Sequence, residues 1–474
     1  MFLFPTPAFA QGPNFLTLVY PVRGRNLWEQ KEFYQLDPLF SKLKNNNLKA
    51  TFLLQYDAAT DNAVTNTILE GCPSCELGIF MEVSEQLATD SQVAYNVGSG
   101  NWARPDKTFL SGYSILDREK LIDTMFKQFK SKFGYYPTTV GAWYIDPFSL
   151  NYAHDKYGVI AQVSVADQLD TDGQSYWGKP WGTPFYPNKY NILAEADNLK
   201  NKLDIVQIQW AQRHPTDGYG TGVKVSRNSL QANDYINNNK DSSYFSEILN
   251  DYLNPDNQFN QVTIGLEVGQ ELNAFIDEHL KQLKILEQKK LTSVTVGEFA
   301  NWYRKNYPLL SPIMRTGDNK TLWVATSCYR VGIKDQQIFD LRSYAINSPE
   351  ADFLNKDPNF FLDRQLPNLI PKPIKINGTN HLFLDTKFSV GSQSYDFSSI
   401  CQPNNYISDQ IPIVQNTFDL SFIKTSVLSG QRILGFQIGP DRLLGFWVGH
   451  GAGVFNFPFQ TLVRFQPLTG IKKW

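Results

Sequence analysis

The sequence predicts an α/β protein: a (β/α)7-type barrel over residues 14–308, followed by a mainly-β sandwich domain over residues 320–474. Three observations lead there. Seven short, β-rich apolar runs alternate with helical patterns in the first part, which is how a parallel sheet closed by crossover helices reads. After Pro308 the helical period disappears, and alternating strands with Gly and Asn turns take over. A chain of 474 residues with 42% apolar content can bury a large core and is too long for one ordinary domain.

The seven barrel runs are Phe15–Tyr20, Ala50–Tyr56, Glu76–Val83, Thr139–Ile145, Val159–Ala166, Asp204–Trp210 and Gln261–Leu266. Between the third and fourth, Ser114 to Phe133 reads as a helix. Its stripe is Leu116, Leu121, Ile122, Met125, Phe126, Phe129 and Phe133, and Gly134 is its C-cap. Tyr244–Leu253 and Glu271–Lys289 read as helices around the last barrel strand. A final helix, Val296–Tyr307, opens on the capping-box spacing Thr295-Val-Gly-Glu298 and is stopped by Pro308. In the second domain the expected strands are Leu322–Ala325, His381–Leu384, Thr417–Ile423, Gly435–Ile438, Leu443–Val448 and Leu462–Phe465.

Lys plus Arg total 44 against 46 Asp plus Glu, so no charge excess favours nucleic acid or an anionic membrane. No run approaches the ~20 apolar residues needed to span a bilayer. The N-terminal Met1-Phe-Leu-Phe-Pro-Thr-Pro-Ala-Phe-Ala10, within residues 1–13, reads as a signal-peptide remnant, which places the protein outside the cell or in the cell envelope or periplasm. Cys72-Pro-Ser-Cys75 then reads as a loop disulfide, and Cys328 with Cys401 as a second pair open to bridging. The 10 Trp and 23 Tyr suit stacking on sugar rings as well as core packing.

Leu43-Lys-Asn-Asn-Asn-Leu-Lys-Ala-Thr-Phe-Leu54, Glu76-Leu-Gly78, Phe133-Gly-Tyr-Tyr-Pro137 and Asp155-Lys-Tyr-Gly-Val159 follow one another in the order of the helix-to-strand phrases of the polysaccharide deacetylases. The first ~300 residues thus resemble that NodB-like family within the glycoside hydrolase/deacetylase barrel superfamily. The resemblance implies an Asp-Asp pair after the first strand, where this chain has Thr17-Leu-Val-Tyr-Pro-Val-Arg23. It implies two His after the third strand, where Phe80 and Ser84 stand, and an Arg near the fourth, where Gly141 or Ala142 stands. Five His without paired spacing offer no metal site, and no cofactor is expected.

In such a barrel the C-terminal ends of the strands converge. The last polar residues there are Arg23, Arg25, Asp57, Glu82, Asp146, Asp167, Arg213, His214 and Glu267. Glycoside hydrolysis needs two carboxyl groups across the scissile bond. Similarity to the retaining glucan-active glycosidases of the superfamily nominates Asp146 as nucleophile, with Glu82 or Glu267 as partner. Alternatively these acids pair with Arg23, Arg25 and Arg213 and close the barrel top. The long loop after the fifth strand, with Trp177 and Trp181, reads as a sugar-stacking wall that Trp210 extends, along with Trp28, Trp102 and Trp143. Three functions remain open: a metal-independent glycosidase acting on an oligo- or polysaccharide, a non-catalytic glycan-binding barrel, and a deacetylase with a rearranged metal site.

Overall fold

The computed structural model describes residues 12–27, 35–96, 104–165, 182–219, 227–317, 320–335 and 337–344, with Asn368, Lys372 and the strand segments beyond. The chain divides into two compact units, Met1–Cys401 and Gln402–Trp474. The first holds a parallel barrel. Its strands are β1 (Asn14–Val22), β2 (Ala50–Leu54), β3 (Glu76–Phe80), β4 (Thr139–Gly141), β5 (Ala161–Ser164), β8 (Val206–Gln209) and β9 (Asn260–Ile264), with the hairpin β6 (Pro187–Asn188) and β7 (Asn191–Glu195) inserted after β5. All seven runs expected from the sequence are strands. Hydrogen-bonded neighbours run β9-β1-β2-β3-β4-β5-β8, and β10 (Thr292–Val294) pairs with the start of β1.

The barrel is nearly closed. Between β8 and β9, which do not pair, two substitutes fill the seam. Phe185 bridges antiparallel to Gln207, exchanging hydrogen bonds of 3.1 and 2.9 Å. Further along, the Gln212 side chain accepts from the Thr263 N–H at 2.9 Å and donates from Nε2 to the Gln261 carbonyl at 3.2 Å. Inside, Leu53 fills the space over Gly78, where a Cβ would meet Leu53 Cδ2 at 2.8 Å.

The helix Ile115–Phe133 starts at Ser114, whose Oγ accepts from Asp117 N, and ends at Gly134 with φ +86°, a conformation that costs an L side chain about 1 kcal/mol. Its buried face is Arg118, Leu121, Ile122, Met125, Phe126 and Phe129. Leu116, expected on that stripe, is 70% exposed. It stands two residues from Arg118, on the far side of the turn, and the stripe begins at Arg118 instead. The helix Val296–Asn306 carries the expected capping box on Thr295 and Glu298. It closes the N-terminal end of the barrel, packing Phe299 and Trp302 edge-on or tilted against Phe15 and Phe259, while Glu76 accepts from Gly297 N, Thr51 and Thr139.

The C-terminal part is built of small antiparallel sheets. In the first unit these are β11 (Met314–Gly317), β12 (Thr321–Ala325), β13 (Tyr329–Lys334), β14 (Gln337–Ser343) and β15 (Ile374–Lys375) in one sheet, and the hairpin β16 (Lys387–Val390) and β17 (Gln393–Asp396). The second unit holds β18 (Lys424–Leu428), β19 (Gln431–Gln437), β20 (Arg442–Val448), β21 (Ala452–Pro458) and β22 (Lys472–Lys473), antiparallel except for the parallel pair β21–β22. The strands expected at His381–Leu384, Thr417–Ile423 and Leu462–Phe465 lie outside the described residues. So does the N-terminal segment Met1–Gln11.

Cys72 and Cys75 form a disulfide at the end of the helix Asn62–Gly71, with Cα atoms 5.4 Å apart. Cys328 is also disulfide-bonded, and Cys401 lies outside the described residues.

Candidate functional site

The candidate residues gather at the C-terminal end of the barrel, where β1 and β3 deliver Arg23 and Glu82 two residues or fewer past the sheet. Arg23 is the centre. Its Nε and Nη2 donate to the two oxygens of Glu82 at 2.7 and 2.9 Å, a bidentate pair, and its Nη1 donates to Glu267. The guanidinium lies against the rings of Phe80 and Trp143, 5.2 and 5.0 Å from their centroids, and the two rings meet edge-on. Arg23, Glu82 and Glu267 are 2%, 1% and 7% exposed, so the three form a desolvated ion triad. Burial opposes the charge on Arg23, but Glu267 and Glu82 outweigh it and hold the guanidinium more firmly charged than usual. Burial pushes the Glu82 carboxyl above the ordinary range against the pull of Arg23, and the charge of Glu267 adds to the rise.

Asp146 is 4% exposed and does not join this triad. It is the N-cap of the helix Pro147–Tyr157, accepting from Ser149 N at 3.0 Å and Ser149 Oγ at 2.6 Å, and it pairs with Arg118 at 3.0 Å. Each of the three nominated catalytic acids therefore holds an arginine. Of the arginines expected to hold them, only Arg23 does so, on Glu82 and Glu267; Asp146 holds Arg118 instead, and Arg25 and Arg213 pair with Asp61 and Asp234.

The substrate-binding candidates separate into three places. Asp57 accepts from Ser84 Oγ and from Asn26 Nδ2, and Arg25 pairs with Asp61, which also caps the helix Asn62–Gly71. These residues, with Thr60, Gln86 and Asp90, line an open cleft of about 440 Å³. Trp210 packs edge-on against Trp143 at 5.0 Å and is buried. Arg213 pairs with Asp234 at 3.3 Å, and His214 stacks flat on Tyr244 while its Nδ1 accepts from Thr216 N and Asp217 N. His214 thereby organises a turn. Asp167, Trp177 and Trp181, together with Trp28 and Trp102, lie outside the described residues.

Sequence reasoning missed three groups. Glu271 lies beside Glu267, accepts from Glu267 N, Gln231 Nε2 and Asn233 Nδ2, and is pushed well up by burial and by the charges of Glu267 and Asp234. Its signal was its place four residues after Glu267 at a strand-to-helix junction. Arg118 was legible as the one cation on an otherwise apolar helical face. Asp61 and Asp90 carried no signal beyond ordinary surface acids.

The ends of β1 and β3, which in the deacetylases would carry the Asp-Asp and His pairs, are joined here by the Arg23–Glu82 ion pair. Among the described residues, no three His, Cys, Asp or Glu side chains come together as a metal site would require. The residues present do not fit a divalent ion there.

No family model matches the sequence, and no curated protein matches it. The fold is similar to solved structures of deacetylase-type barrels. A candidate glycoside hydrolase/deacetylase of Parabacteroides distasonis is 15% identical over 75% of this chain and 92% of that one, with a TM-score of 0.49. A candidate polysaccharide deacetylase of Mycobacterium smegmatis is 10% identical over 66% and 98%, with a TM-score of 0.37. The peptidoglycan deacetylase PdaC of Bacillus subtilis is 10% identical over 63% and 99%, with a TM-score of 0.29. Among the described residues no helix is long and apolar enough to cross a membrane.

Proposed function

We propose that this chain is a glycan-recognising protein, a deacetylase-like barrel that binds an oligo- or polysaccharide at its C-terminal end without metal chemistry. The observation that carries the reading is the pairing of every nominated catalytic acid with a buried arginine beside an open polar cleft. A carboxylate held on a guanidinium has its charge compensated, which suits neither attack nor proton delivery. The cleft, by contrast, offers amide, hydroxyl and carboxylate groups to a polyhydroxylated ligand. Export is part of the proposal, and the Cys72–Cys75 disulfide fits an oxidising compartment.

A metal-independent glycosidase is the second reading, favoured by one observation. The Glu82 carboxyl is pushed up beside a second acid, as a general acid would be. A glycan array combined with an oligosaccharide hydrolysis screen separates the two. Recognition predicts binding without turnover, and Glu82→Gln and Asp146→Asn then leave the absence of turnover unchanged. Hydrolysis that Glu82→Gln abolishes would establish the glycosidase, and a protein that binds no glycan would overturn both.

A further inference from the structure

The cleft beside the ion triad is lined, among the described residues, by more acids than bases. Among the described residues that line it, three are carboxylates, Asp57, Asp61 and Asp90, and one, Arg25, is a cation. Arg25 pairs with Asp61, with Nε and Nη2 at 2.8 and 2.5 Å from one oxygen. Asp90 is exposed and is held by two neutral donors, the Tyr56 hydroxyl at 2.8 Å and Gln86 Nε2 at 2.9 Å. Asp57 likewise meets neutral donors, Ser84 and Asn26. Neutral donors orient a carboxylate without cancelling its charge. Among the described residues, the open cleft of about 440 Å³ therefore presents two carboxylates, Asp57 and Asp90, oriented by neutral donors, and its remaining described lining, Asn26, Thr60 and Gln86, is neutral and hydrogen-bonding.

Resting on the glycan-binding reading above, we propose that this cleft takes a glycan bearing protonated amines, amino-sugar units with free ammonium groups, in preference to neutral or N-acylated sugars. An ammonium brings three donors and a charge to Asp90 and Asp57, while hydroxyl groups of the same sugar reach Asn26, Thr60 and Gln86. An acetamide at the same position would bring bulk and no charge. Because the cleft is open, the attraction is screened by salt over roughly 8–10 Å at physiological ionic strength.

The test uses the full chain and three oligomers of equal length: fully deacetylated glucosamine oligomer, its fully N-acetylated counterpart and a neutral glucan. Binding is followed by calorimetry at low and high salt. The expected result is preference for the free-amine oligomer, weakening as salt rises. Asp90→Asn, on an exposed residue, weakens that binding by about five- to tenfold at low salt, the effect of removing one charge a few ångströms from the ligand. Arg25→Gln moves affinity the other way by a similar factor, because it uncovers Asp61. Thermal unfolding of both variants checks that the fold is kept. Equal binding of all three oligomers, or no opposite response in the two variants, overturns this proposal and leaves the glycan-binding reading standing. Failure of every oligomer to bind overturns both.

Discussion

Replacing Arg23 by methionine tests whether the barrel mouth is an ion triad in a desolvated setting. Arg23→Met keeps a flexible apolar stem against Phe80 and Trp143 but strands Glu82 and Glu267, both nearly inaccessible to water. Breaking a buried pair by removing one partner costs about 3–5 kcal/mol, because the remaining charge is left uncompensated. The sign with pH follows from Glu82. Its carboxyl is raised by burial even with Arg23 in place, so its contribution to stability is full below the unfolded carboxylate pKa and is lost as pH rises through the raised folded value. Without Arg23 the rise is larger, so the deficit of the variant is smaller at pH 5 than at pH 8. Urea unfolding followed by tryptophan fluorescence, with Trp143 resting on the guanidinium, gives the difference at the two pH values. A companion triple variant, Arg23→Met with Glu82→Met and Glu267→Met, should regain most of the loss, since apolar replacement of a whole buried ion cluster is often neutral. A deficit under about 1 kcal/mol at pH 8, or one independent of pH, would refute the desolvated triad.

Asp146→Asn should cost about 3 kcal/mol in the same assay, through the loss of charge opposite buried Arg118, while glycan binding is unchanged, because its contacts are to a helix start and to Arg118. The double change Cys72→Ser with Cys75→Ser should lower stability by about 2 kcal/mol or less, read by thermal or urea unfolding, since the bridge closes only a short loop. Thr295→Ala removes one half of a capping box and should cost about 1 kcal/mol. His279 is buried between the Tyr20 hydroxyl and Gln282, and burial lowers it to about 4. Its neutral form supports the fold above pH 6.5, and about 3 kcal/mol of that support is lost as pH falls towards 4, which an NMR titration of the ring against unfolding curves would reveal.

The barrel was legible because each strand is a short apolar run between polar turns, and its length and β-branched and aromatic content, more than its period, distinguish it from the longer amphipathic helices that follow. The helix ending at Gly134 and the capping box at Thr295 were legible for the same local reason: each terminus is marked by a residue whose side chain, or lack of one, satisfies it. The position of Leu116 was not, because a stripe read from sequence counts apolar residues, whereas the core-facing slot was taken by Arg118, whose aliphatic stem packs while its head reaches Asp146. The mouth was half legible. Strand ends located Arg23, Glu82 and Glu267, but sequence cannot show that one guanidinium serves two acids from strands far apart in the chain. Arg25 and Asp57 of the cleft were located by strand ends, but Asp61, a cap between two helices, and Asp90, at the end of a short one, lie outside them, where an acid usually means only a solvated surface.

The Gln212 carboxamide at the seam between β8 and β9 is chemically a peptide group carried on a two-carbon tether, so the barrel borrows one peptide unit from a side chain to finish its circumference. A tether imposes requirements that a strand does not. Glutamate would offer two acceptors and no donor to Gln261, asparagine is one methylene shorter, and an apolar residue would leave the Thr263 amide and the Gln261 carbonyl without these contacts. The integrity of the ring at that point thus rests on the identity of one amino acid, whereas along the other strands it is shared among many interchangeable backbones.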